Sequence, residues 1–223
     1  MFDRPIFLNL VFGYVLSKLG DLFYDRGKIN KKGRTSKVKD KLTRIDVEIT
    51  LASGGSLVGE SMSELDLSGV DFQKTSLRGC DLRYSNMSHA NLEEADLSEA
   101  NLGGVNLSES NLAGAVLRKA DLRWSILLGV TAVGADFSDS GLLESRLSFS
   151  NFTKANFSRS DLRRSDLSDA IFVSSNFSEA NMARVDLRQS EISGADFKGA
   201  NMYGLKLPDN SSSSSADNDD IDH

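Results

Sequence analysis

The chain has one cysteine, two prolines, two histidines and one tryptophan in 223 residues. With Cys80 alone there is no intramolecular disulfide framework, and so no mark of an oxidising compartment. His89 and His223 stand far apart in sequence, no cysteine pair accompanies them, and no glycine-rich phosphate loop is present. Metal-binding and nucleotide-binding motifs are therefore missing. These absences argue against catalysis. The expectation is a protein that is not an enzyme, with no catalytic residue, no metal and no cofactor.

What is present is a period of five. Taking Leu67 as the centre of one pentad, every fifth residue through Met202 is apolar, without one insertion. Two residues before each centre the chain is small or apolar, as at Ser85, Ala90, Ala95, Ala100, Ala115, Ala120, Ser165 and Ala170. The residue just before the centre is most often Asp or Asn, as at Asp66, Asn91, Asn101, Asp121, Asn176 and Asp196. A helix repeats every 3.6 residues and a strand every two, so neither buries this pattern. A coil with flat sides does: the centre and the residue two before it point inward, and the others face solvent. The number of sides is legible too. Phe137, Phe157, Phe177 and Phe197 recur at intervals of 20, as do Phe152 and Phe172. Stacked rings gain from such a register, so four pentads make one turn.

Runs such as Ala90–Leu112 and Ser150–Phe172 resemble the pentapeptide repeat family. The resemblance implies an all-β fold, a right-handed quadrilateral β-helix, here of about seven coils at about 4.8 Å each. An N-terminal α-helical segment precedes it. The expected domains are 1–50, an amphipathic helix plus a basic segment; 51–207, the repeat body; and 208–223, a disordered Ser/Asp-rich tail. Cys80 falls two before a centre and is expected inside the coil as a small hydrophobe. The Asp and Asn before the centres are expected to bond local backbone at turns.

Charge is unevenly placed. Residues 1–50 carry 11 Lys/Arg against 6 Asp/Glu, while residues 117–208 are nearly balanced and the stretch from Tyr84 to Leu117 holds no base until Arg118. From Ile6 to Phe23 the chain is strongly apolar, with Asn9, Gly13, Ser17 and Asp21 making one polar stripe. Lys18, Gly20 and Asp21 interrupt it, so a membrane span is not expected, and the flanks suit a cleavable signal peptide poorly. Two roles compete for Ile6, Phe7, Leu10, Val11, Leu22 and Phe23: covering an open end of the β-helix, or, with the basic run that follows, lying on an anionic membrane surface through residues 6–44. Serving as a partner-binding helix is a third. Further on, Ile45, Val47, Ile49 and Leu51 alternate with polar residues and predict a short strand. Ser53-Gly54-Gly55-Ser56 then turns the chain into the first coil.

The pattern loosens between Trp124 and Phe149. Ile126, Thr131, Gly141 and Arg146 replace Asp or Asn, and outward positions hold Trp124, Leu128, Val133, Leu143 and Phe149. Assigning sides by fours brings Trp124, Ile126, Leu128, Leu143 and Phe149 together around one edge. An exposed apolar cluster with the only tryptophan marks a contact surface, for a protein partner or a second copy forming a homodimer. Intramolecular cover and neutral drift of one or two coils also fit. The resulting expectation is a protein-interaction scaffold in the cytoplasm or peripheral at a membrane, with no nucleic acid bound, since the basic run lacks interleaved aromatics for base stacking. The alternative comes from the resemblance alone: some family members have acidic rods that imitate duplex DNA and protect gyrase from quinolones.

Overall fold

The structure, a computed structural model, describes residues 42–208. The expectations for Ile6, Phe7, Leu10, Val11, Leu22 and Phe23, for most of the basic run and for the acidic tail lie outside the described residues.

The body is a coil of four sides. Parallel β-bridges join residues 20 apart in steps of five, from Ser61↔Asp81 to Asp186↔Lys206. The bridged residue is always the one before the pentad centre, so the four sides can be followed as four columns. The first side runs Ser61, Asp81, Asn101, Asp121, Gly141, Asp161, Asn181, Asn201; the second runs Asp66, Asn86, Asn106, Ile126, Arg146, Asp166, Asp186, Lys206. The third starts at Asp71 and the fourth at Ser76. Coils are tied by backbone bonds in both directions. The Leu67 N–H donates to Asn86 O at 2.7 Å, Gly69 to Ser88 O at 2.9 Å, and Asn86 donates back to Leu65 O at 2.9 Å. Within most pentads the N–H three residues past a centre closes a β-turn, as in Val70 to Leu67 O at 3.2 Å. The two turn residues between make the corners.

The inward register follows from the pattern. Pentad centres from Leu57 to Leu187 are fully buried, and so are most of the small residues two before them. Cys80 is among these; its thiol donates to Leu57 O at 2.9 Å, and burial pushes its pKa up. The two phenylalanine columns stack as their spacing requires. Phe137, Phe157, Phe177 and Phe197 lie 4.8, 5.1 and 5.2 Å apart, within 8° of parallel. Phe152 and Phe172 stack at 5.3 Å on the neighbouring side and meet the first column edge-on.

The Asp and Asn before the centres do two jobs. Their Oδ1 accepts from the N–H two residues on, as Asp66 does from Ser68 at 3.1 Å. At several places where Asn follows one coil later, its Nδ2 donates back to that same oxygen: Asn86 to Asp66 at 3.1 Å, Asn106 to Asn86 at 3.2 Å. Local turn bonding and a ladder between coils thus share one atom. One detail differs from the expected outward face. Ser138, Ser148 and Ser158, first residues of their corners, are buried. Such short side chains sit deep at the corner, where Ser138 and Ser158 adjoin the bidentate Asp139–Arg159 pair at 2.7 and 2.9 Å.

The stretch expected as a strand is a helix, α1 (Arg44–Ala52). Alternation of Ile45, Val47, Ile49 and Leu51 is overridden by a capping box. Thr43 Oγ1 accepts from the Asp46 N–H at 3.3 Å while Asp46 Oδ2 accepts from the Thr43 N–H at 2.9 Å. Only one face of α1 is used: Val47 is fully buried and Leu51 packs against the core beside Leu42, whereas Ile45 is exposed. The Arg44 guanidinium also donates to Asp66 O at 3.3 Å. The helix therefore covers the first coil, as an open solenoid end requires. It stops at Ser53, and Gly54, at φ +67°, turns the chain back so that the Gly55 N–H reaches Thr50 O at 2.8 Å. Thr43→Ala is expected to cost about 1 kcal/mol, a fall in Tm of roughly 2–4 °C for a body of this size. Circular-dichroism melting checks it, and an unchanged Tm would mean that α1 does not contribute to the cooperative unit.

Candidate interaction surface

The second side changes character half-way. Up to Asn106 it is an Asx ladder. At Ile126 the ladder ends, because an aliphatic side chain neither accepts from the turn nor donates to the next coil. Arg146 follows, and Asp returns only at Asp166. Both corners of the side become apolar over the same two coils. Trp124 and Leu143 stand on the corner shared with the first side, and Leu128 and Phe149 on the corner shared with the third. Trp124 is 51% exposed and Phe149 69%, while Ile126, Leu128 and Leu143 are half-buried. The five residues expected around one edge thus span a whole side, corner to corner. The reason is the turn: the two residues after each centre form the corner itself, so the cluster brackets the second side.

The aromatic residues are held in place. Trp124 and Phe149 are second turn residues, with φ of 60° and 61°. That left-handed conformation costs a side-chain-bearing residue about 1–2 kcal/mol relative to glycine, and glycine fills the same position at Gly104 and Gly129. The Trp124 indole N–H donates to Glu144 Oε2 at 3.3 Å, and Arg164 binds the other oxygen of Glu144 at 3.1 Å. Arg123 Cζ lies 5.3 Å from the Trp124 ring centroid, a cation–π contact. Both arms of Arg123 also reach Asp121, at 2.8 and 2.6 Å. That pairing holds the Asp121 carboxyl below the ordinary carboxylate range. Arg163 does the same to Asp161, and Arg188, helped by Lys206, to Asp186.

Two further residues belong to this surface without having been read as site residues. Tyr84, 65% exposed, is in the corner column of Trp124, and its ring lies over Gly104, where a Cβ would come 2.6 Å from Tyr84 Cδ1. Arg146 sits between the two corners; its one sequence signal is that it occupies an Asp/Asn position. His89 is at a corner, 3.4 Å from Glu109, with both side chains open to solvent. Among the described residues no three His, Cys, Asp or Glu are grouped to hold a metal ion.

Known proteins can now be set beside this geometry. The model of pentapeptide repeats matches residues 61–98, 90–129, 133–169 and 170–207, in 8 copies. The chain belongs to the pentapeptide repeat family. Pentapeptide repeat proteins fold as right-handed quadrilateral β-helices, which the bridges described above match. Among solved structures the chain is similar to QnrB1, a plasmid-mediated fluoroquinolone resistance protein, at 19% identity, covering 69% of this chain and 86% of that one, with a TM-score of 0.42. It is also similar to HetL of the cyanobacterium Nostoc, a pentapeptide repeat protein involved in heterocyst differentiation regulation, at 23% identity, 75% and 98% coverage and a TM-score of 0.25. Rfr23 of the cyanobacterium Cyanothece matches at 22% identity, 46% and 63% coverage and a TM-score of 0.31. No curated protein matches the chain.

Proposed function

We propose that this pentapeptide repeat protein is a non-enzymatic interaction scaffold, a β-helix of about seven coils with an N-terminal helical segment, whose second side binds a protein partner. The observation that carries the reading is the pair Trp124 and Phe149. Two bulky aromatics occupy corner positions, project to solvent, and bracket one side whose polar ladder is broken between them. Folding gains little from an exposed ring at a corner position that elsewhere holds mostly charged residues or glycine, and exposed bulky apolar side chains grouped on one side mark a contact surface. Trp and Arg on an exposed apolar patch are also the composition of binding hot spots. Membrane-surface attachment through residues 6–44, and a cytoplasmic location, are proposed with it on sequence grounds alone. Imitation of duplex DNA asks for a continuous anionic track, and residues 117–208 carry 12 bases against 11 acids. The scaffold reading is therefore preferred.

Trp124→Ser combined with Phe149→Ser tests it. The variant is expected to melt within a few degrees of the parent, since both side chains are exposed, and to lose a partner that co-purifies with the parent. Undiminished co-purification would remove the second side from consideration.

A further inference from the structure

We propose that the second side takes an apolar peptide segment carrying a carboxylate, with the acid on Arg146 and the apolar side chains between Trp124 and Phe149. This rests on the reading of that side as the contact surface and names the chemistry of what it binds.

Arg146 is exposed in the middle of the patch, bridged through its backbone to Ile126 and Asp166. The other cations beside it are matched. Arg123 holds Asp121, Arg163 holds Asp161 at 2.7 and 2.6 Å, and Arg164 holds Glu144. The carboxylates near Arg146 bond other groups. Asp166 accepts from the N–H and hydroxyl of Ser168 at 3.1 and 2.7 Å, and Glu144 accepts from Trp124 and Arg164. Among the described residues no acid lies within ion-pair distance of the Arg146 guanidinium. Among the described residues, then, Arg146 is a cation without an ion-pair partner, standing between the apolar residues of the two corners.

That charge selects the occupant. A wholly apolar partner would desolvate the guanidinium and return no counter-charge, which is strongly unfavourable. A second copy meeting this patch about a two-fold axis through its middle would set Arg146 against its own equivalent. A carboxylate instead gains a bidentate, charge-assisted pair in a partly dried setting. The apolar rim around it supplies the area and excludes water.

The test is selection of a random peptide library on the immobilised full-length protein, followed by affinity measurement of the selected peptides in solution. The expected result is enrichment of sequences joining Asp or Glu to aromatic or aliphatic residues. Arg146→Glu should weaken their binding by about tenfold or more, and exchanging the peptide's acid for Lys should restore binding to that variant. If selected peptides need Trp124 and Phe149 but ignore Arg146→Glu, the acid specificity is wrong while the contact surface stands. If they bind Trp124→Ser/Phe149→Ser unchanged, or none is enriched over that variant, the contact surface itself is wrong. Self-association of the parent in sedimentation, lost in the same variant, would make the occupant a second copy and overturn the proposal.

Discussion

Leu127→Asp is expected to disrupt the coil at its middle, whereas Leu128→Asp, one residue on, leaves it standing. Leu127 is a pentad centre with no exposed surface, in a column between Leu107 and Leu147, which are buried as completely. A carboxylate there is either charged without a partner or protonated without one, and it leaves part of the leucine volume empty. The loss is about 3–5 kcal/mol. Because each coil touches only its neighbours, damage in the middle uncouples the two ends, so unfolding should broaden or split into two steps as well as move down. Leu128 is the first residue of a corner and half-buried. Its replacement gives up only part-buried apolar surface, about 1 kcal/mol, yet it sets a negative charge on the proposed contact and should abolish partner binding. Thermal melts of the two variants check the register at single-residue resolution. Equal melting temperatures would contradict it.

Phe157→Ala carries the second large effect. Phe157 stacks on Phe137 at 4.8 Å and on Phe177 at 5.1 Å, and meets Phe152 and Phe172 edge-on at 5.4 and 6.0 Å. Truncation removes a buried ring and leaves a cavity whose walls are four other rings, so little collapse is available. The expected cost is about 3–5 kcal/mol. Phe197→Ala is the internal control. That ring has one stacking partner, Phe177, and is only partly buried at the last coil, so it should cost clearly less. Denaturant titration gives both values. If the two cost the same, the column contributes only local burial and its continuity along the coil has no energetic weight.

The phenylalanine columns and the buried centres were legible because the repeat encodes them many times over, each pentad confirming the last. Where a single local pattern had to decide, it misled. Ile45, Val47, Ile49 and Leu51 read as a strand by alternation and β-branching, but Thr43 and Asp46 form a capping box, and the open first coil offers one face on which Val47 can be buried. Tertiary context at the solenoid end chose the helix. The candidate surface was half legible. Its residues were found by their departure from the repeat, but their arrangement was not, because turn residues occupy corners and a cluster assigned to one edge covers a side. The sequence does not mark Arg146 as a site residue, for a different reason. That no ion-pair partner meets it among the described residues depends on which groups Glu144 and Asp166 bond, and that is a property of rotamers. The left-handed conformation at Trp124 and Phe149 was equally silent, since the repeat places glutamate, lysine, arginine and glycine there as well.

The claim that the second side is where this protein meets its partner is tested most directly by photo-crosslinking in the native cell. A photoreactive p-benzoylphenylalanine replaces Phe149 in one sample and Lys154 in another. Both are exposed second turn residues, with φ of 61° and 60°, but Lys154 stands on the corner between the third and fourth sides. A discrete adduct with another protein from position 149 and none from position 154 is the expected result. Adducts from 154 alone, or equally from both, would contradict it.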